Sequence, residues 1–137
     1  MWSKARMGLA TGLCLAVLLA AGCSSSPWPE TPPPPPVPAR GQWLEGKAAW
    51  YGELFQGRAT TSGEQFNMAG LTGSHASLPL GAQVEVEYPK TGKKVVVTIN
   101  DRHNLENGRD LCLSKAAAEG LGAYPLMRFP VRYQWVR

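Results

Sequence analysis

Cysteine is scarce in this chain: three in 137 residues cannot build a disulfide framework. Histidine is scarcer still, with two, and neither sits in a His-Glu-x-x-His run or a paired Cys/His spacing. No metal is therefore expected. There is no Gly-x-Gly-x-x-Gly, no P-loop and no serine in a Gly-x-Ser-x-Gly context. Dinucleotide-binding, P-loop and serine-hydrolase classes drop out, and no cofactor is expected. Charged residues amount to only 18%, but apolar ones reach 44%, which excludes wholesale disorder. The length has no room for a long multidomain enzyme. What the chain does have in quantity is glycine, 15, and proline, 12; together they exclude a long helical bundle and favour a loop-rich β fold.

The one long apolar run, Leu9 to Ala21, follows the basic residues Lys4 and Arg6 and is too short to span a bilayer comfortably. It ends in Leu19-Ala20-Ala21-Gly22-Cys23. Small residues before a cysteine match a bacterial lipoprotein signal; a short core helix or an ordinary cleaved signal is the plainer alternative. The expectation is that residues 1–22 are removed and Cys23 carries the lipid that anchors the chain to a membrane. Acyl chains bury methylenes at about 0.8 kcal/mol each, so several suffice as an anchor. Ser24 after the cysteine reads as an outer-membrane address, facing the periplasm. Without the signal, 12 basic residues face 10 acidic ones, and Lys90, Lys93 and Lys94 read as a solvated hairpin. No nucleic-acid partner is expected. Cys112 is left without an intrachain partner and should be buried to stay inert.

Residues 23–42 read as the lipidated cysteine and a disordered proline-rich linker. Pro32 to Pro36 favour an extended polyproline spacer. Residues 43–137 form the folded domain, taken as a monomer. Lys47–Tyr51 suggests a first strand. Val84, Val86 and Tyr88 alternate with Glu85 and Glu87, a half-buried strand. Pro89-Lys90-Thr91-Gly92 turns the chain into a second strand, Lys94–Asn100, making a hairpin. Ser114 is placed to cap a helix over Lys115–Leu121, stopped by Gly122, and Val131–Val136 reads as a closing strand. The fold class is mainly β, a small barrel with one or two short helices.

Strand register points to one carboxylate. In Val95-Val96-Val97-Thr98-Ile99-Asn100-Asp101 the odd positions share the apolar face, and Asp101 stands on it where the strand ends. A carboxyl at the rim of an apolar core is partly desolvated, the setting in which it can hold a proton as a general acid. An Asx-turn, or pairing with Arg102 or Arg109, is the plainer role. Glu64 lies in a glycine-containing loop, where a solvated side chain is the ordinary outcome. His75 alone reads equally as a hydrogen-bonded residue. Trp50, Tyr51, Phe55 and Phe66 flank these loops and suit either sugar stacking or core.

Taken in order, Gly46-Lys47-Ala48-Ala49-Trp50-Tyr51-Gly52, Phe55-Gln56-Gly57-Arg58 and Thr61-Ser62-Gly63-Glu64-Gln65-Phe66 resemble the rare lipoprotein A family. So do Leu71-Thr72 with His75, Leu78-Pro79-Leu80-Gly81, Val97-Thr98-Ile99-Asn100-Asp101-Arg102, and Leu113 to Ala118. The resemblance implies a six-stranded double-psi β-barrel. It implies a lytic transglycosylase that cleaves peptidoglycan glycan strands, preferably stripped of peptides, to 1,6-anhydro ends without water. On this transfer Asp101 is the acid/base, Glu64 and His75 assist it, and Asn67, Trp50, Tyr51 and Arg102 bind substrate. Four positions depart from the family pattern. Asn67 stands where the family has Asp, Cys112 stands where it has Asp, and His103-Asn104 replace Gly-Pro. The competing expectation is a barrel that binds glycan or a cell-wall protein without cleaving; a protein-blocking, inhibitor-like barrel comes last.

Overall fold

The hairpin anticipated from alternation is the most regular part of a computed structural model that describes residues 33–103 and 108–137. The signal, Cys14, the lipidation site Cys23, the linker up to residue 32 and Asn104 lie outside the described residues. Strands β3 (Gln83–Tyr88) and β4 (Lys93–Asp101) pair antiparallel, with Val84 opposite Val97 and Val86 opposite Val95. Val84, Val86 and Val97 are wholly buried, while Glu85 and Glu87 face out and bond Lys94. The turn between the strands needs a positive φ, which Gly92 supplies at 70° without a Cβ clash.

The remaining strands are β1 (Leu44–Tyr51), β2 (Thr72–Ser74), β5 (Leu111–Ser114) and β6 (Phe129–Trp135). They close a barrel in the order β1-β5-β2-β4-β3-β6. β1 with β5 and β2 with β4 run parallel; the other pairs are antiparallel. Closure leaves no free edge in this sheet. Buried hydrophobic residues run from Ala48 to Tyr133, so the barrel carries its own core.

Helix α1 (Lys115–Gly120) starts where Ser114 predicted. The Ser114 hydroxyl accepts from Ala117 N at 3.3 Å and donates to Gly70 O, tying the helix to the segment before β2. Ala117 and Ala118 are small enough to lie flat on the barrel and are fully buried. Beyond the helix, Gly122 takes φ 70° and ends it. Cys112, on β5, is a buried free thiol. At the other end of the described chain, Arg40 bridges to Trp135 and stacks on its ring, and Pro36 O accepts from Ser77 Oγ.

Candidate functional site

β4 does not run straight to its end. Gly73 pairs with Ile99, but the next residue of β2, Ser74, pairs with Asp101, so Asn100 is an extra residue in the ladder. Such a bulge breaks the alternation and re-aims the side chains around it. Asn100 turns its buried amide to Glu64, donating from Nδ2 to Oε2 at 3.3 Å. Asp101 is half-buried at the strand end.

A miniature hairpin docks on this strand end. Ala59 and Gln65 bridge, Thr60 N bonds Glu64 O, and Ser62 N bonds Asn100 O at 3.0 Å. The hairpin thereby delivers Thr61 to Asp101. Asp101 Oδ1 accepts from Thr61 Oγ1 at 2.6 Å, Thr61 N at 3.0 Å and Arg102 N at 2.8 Å. Among the described residues, Oδ2 takes no donor. The carboxyl is thus held through one oxygen.

Asp101 lines a cavity of about 250 Å³ together with Tyr51, Phe55, Arg58, Phe66 and Arg102. Tyr51 packs against Phe55 and Phe66 with centroids at 5.2 and 5.4 Å. Phe55 remains 41% exposed, with the Arg58 guanidinium over its ring at 5.4 Å from the centroid. Burial pushes the Tyr51 hydroxyl well above the ordinary phenol range, so it stays protonated at neutral pH. Arg102 reaches back, its Nη1 donating to His75 O at 3.3 Å.

The structure therefore brings Asp101, Tyr51 and Arg102 to one cavity, with Glu64 exposed on the hairpin beside it. It does not bring the other anticipated residues there. The His75 ring, 5% exposed, turns away into a groove it shares with Tyr133, Asp110 and Pro36. His75 Nδ1 accepts from Ser77 N and Leu78 N, each at 3.1 Å, and Nε2 faces Tyr133 Oη at 3.5 Å. Burial, with His103 adding to it, pulls its pKa down to about 4, so the ring is neutral at physiological pH. Trp50 donates Nε1 to Leu126 O and packs on Tyr124, on the side of β1 away from the cavity lining. Asn67 is exposed and closes its own turn, Oδ1 accepting from Ala69 N at 3.0 Å. Thr61, the residue that clamps Asp101, escaped the reading of single residues; a hydroxyl flanked by Thr60, Ser62 and Gly63 looks like any polar turn. Among the described residues no three His, Cys, Asp or Glu side chains gather where they could hold a metal ion.

Fold and cavity together define a small double-psi β-barrel with a clamped carboxylate at a strand end. The family described as lytic transglycolase matches residues 44–133, and the chain belongs to it. Among similar proteins, the probable endolytic peptidoglycan transglycosylase RlpA of Synechocystis is 46% identical over 79 residues, 58% of this chain and 25% of that one. The endolytic peptidoglycan transglycosylase RlpA of Neisseria meningitidis is 44% identical over 77 residues, 56% of this chain and 32% of that one. The chain thus spans a quarter to a third of the length of these relatives. Among solved structures, the Streptomyces papain inhibitor aligns with TM-score 0.59 and 22% identity, over 74% of this chain and all of that one. An expansin of Clavibacter michiganensis aligns with TM-score 0.56 and 23% identity, over 70% of this chain and 51% of that one. At such identities these two share the barrel and nothing more specific.

Proposed function

We infer that this domain is a peptidoglycan lytic transglycosylase, acting on glycan strands with Asp101 as its single acid/base. The observation that carries this reading is the one-sided clamp on Asp101 inside an aromatic-walled cavity. Family membership and the names of its relatives support the substrate class. In the first half of the reaction, Asp101 Oδ2–H gives its proton to the oxygen between N-acetylmuramic acid and N-acetylglucosamine. The bond from that oxygen to the anomeric carbon breaks, and N-acetylglucosamine leaves as an alcohol. In the second half, the muramic acid C6 hydroxyl oxygen bonds to the anomeric carbon and its proton passes to Asp101. A 1,6-anhydro end forms, the acid is regenerated and no water is consumed. One carboxyl suffices, whereas hydrolysis usually divides the roles between two. Glu64 orients the hairpin through Asn100. His75 is a positioning residue, since its carbonyl holds Arg102 and its ring is neutral. The lipid on Cys23 and the proline segment would hold the barrel near the outer membrane, within reach of the wall.

The test is incubation of the protein with peptide-free glycan strands, followed by mass spectrometry of the products. The parent should generate 1,6-anhydro ends and Asp101→Asn should lose at least about a hundredfold in rate. Asparagine keeps an acceptor for Thr61 and Arg102, so the fold survives while the proton donor is lost. Co-sedimentation with glycan and no products would replace this reading with a binding barrel, the one that Asn67 in place of Asp would suit.

A further inference from the structure

Arg58 and Arg102 line the cavity with Asp101, and the other lining residues, Tyr51, Phe55, Phe66, Ala59 and Thr60, carry no charge. The backbone of Arg58 is held on both sides: its N–H donates to Phe55 O at 3.0 Å, and its carbonyl accepts from Phe66 N at 2.7 Å. From that base the exposed side chain lays its guanidinium over the Phe55 ring, which attracts the cation without neutralising it. Among the described residues, no Asp or Glu comes within ion-pair distance of Arg58 or Arg102. The ion pairs of the barrel lie elsewhere, where Lys94 and Arg132 meet Glu85 and Glu87. Arg102 spends Nη1 on His75 O, and the Arg58 guanidinium has no acceptor among the described residues.

What a ligand must bring follows from this charge balance. Two guanidinium groups face one acid, and in the proton-carrying form that the inferred reaction uses, Asp101 supplies no counter-charge. A guanidinium presents its donors as a planar fork that matches a carboxylate. In a glycan of N-acetylglucosamine and N-acetylmuramic acid, the first sugar is neutral. The second bears a lactyl group whose carboxyl is an anion when free and a neutral amide when a peptide is attached. On a peptide-free strand the lactyl carboxylate is therefore the charge that such a cavity can read.

We propose that Arg58 is a specificity-determining residue that binds the free lactyl carboxylate of an N-acetylmuramic acid held in the Asp101 cavity, with Arg102 supplying the second positive charge. The proposal deepens the function inferred above and rests on it for the ligand class. The sequence resemblance places Arg102 among substrate-binding residues and gives Arg58 no role. Here Arg58 acquires one from its place on the cavity wall and from the counter-ion it lacks. Selection is then by charge and not only by bulk: a small neutral cap on the carboxylate should weaken binding as an attached peptide does.

The test compares two ligands on the full chain carrying Asp101→Asn, where no turnover interferes. One is peptide-free glycan strands. The other is the same strands with their lactyl carboxylates converted to methylamides, which removes the charge and adds little bulk. Affinity is measured by co-sedimentation at low and high salt. At low salt the free strands should bind about five- to tenfold more tightly than the capped ones, the size of a charge-assisted contact on an open rim. The difference should shrink as salt rises. Adding Arg58→Gln should bring the free strands down to the level of the capped ones and leave binding of the capped ones unchanged. Arg58→Lys keeps the charge and loses the fork, so its discrimination should be intermediate. Thermal unfolding checks that Arg58→Gln is folded; if it is not, Arg58→Lys decides by losing affinity for the free strands alone. Equal binding of the two ligands before Arg58 is changed would overturn the proposal. So would equal losses for both ligands in Arg58→Gln, the mark of an uncharged or structural role. Discrimination as expected without any 1,6-anhydro product from the chain with Asp101 intact would strike down the transglycosylase reading and leave this one standing. No binding of either ligand would overturn this proposal, and 1,6-anhydro products would then still uphold the transglycosylase reading.

Discussion

Ser114→Ala isolates one hydroxyl that joins three parts of the barrel. The residue is fully buried at the junction of β5 and α1. Its hydrogen goes to Gly70 O, and its oxygen accepts from Ala117 N at 3.3 Å and Thr72 N at 3.5 Å. Alanine keeps the Cβ and leaves no cavity of consequence, so the cost is polar. Loss of a serine N-cap costs about 1 kcal/mol. The Gly70 carbonyl left without its donor adds about 1 kcal/mol, at the low end because Gly70 is only half-buried. The sum, about 2 kcal/mol, should lower Tm by about 8–16 °C for a domain of this size. The assay is urea and thermal unfolding of residues 33–137, followed by far-UV circular dichroism, with the urea slope unchanged. Ser77→Ala, which removes a hydroxyl bonded, among the described residues, to Pro36 O alone at 3.2 Å, is the control and should cost less than about 0.5 kcal/mol. A Ser114→Ala loss no larger than the control would refute the reasoning that this hydroxyl joins the parts.

Four further outcomes are expected. His75 has its folded pKa lowered from 6.5 to about 4, so the unfolded chain binds the proton first as pH falls. Its contribution is present in full above pH 6.5 and is lost between there and pH 4, up to about 3 kcal/mol, and His75→Asn should show a distinctly flatter stability profile in that window. Leu113→Ala, in the centre of the core, should cost about 3 kcal/mol by urea unfolding. Asn67→Asp should leave glycan cleavage within about twofold of the parent, because the side chain is exposed, caps its own turn and does not line the Asp101 cavity. In residues 33–137 the single thiol, Cys112, should react with a thiol reagent only on unfolding, since it is buried and its pKa is pushed up to about 11.

What was legible in the sequence was whatever depends on neighbours along the chain. The β3–β4 hairpin follows from alternation around a glycine turn and α1 from its serine cap, whereas the period of two that starts at Val95 stops at the Asn100 bulge and does not by itself fix the side on which Asp101 stands. These readings need only local geometry. β5 was not legible as a strand, because Leu111-Cys112-Leu113-Ser114 is buried on both faces and shows no alternation. Three-residue β2, with a glycine at its centre, is too short to carry a pattern.

The sequence by itself determined the composition class, the turns, the cap and the strand that ends at Asp101, since steric preference and side-chain period act within a few residues. Only the tertiary structure decided which strands lie side by side, because the parallel pairs β1–β5 and β2–β4 join segments far apart in the chain. That closure decided the site as well. It placed the bulge at Asn100, brought Thr61 across 40 positions to Asp101, and turned the His75 ring out of the cavity that its neighbouring backbone supports. Hydrogen bonds between distant residues leave no period in the sequence, and they are what hold the Asp101 carboxyl in place.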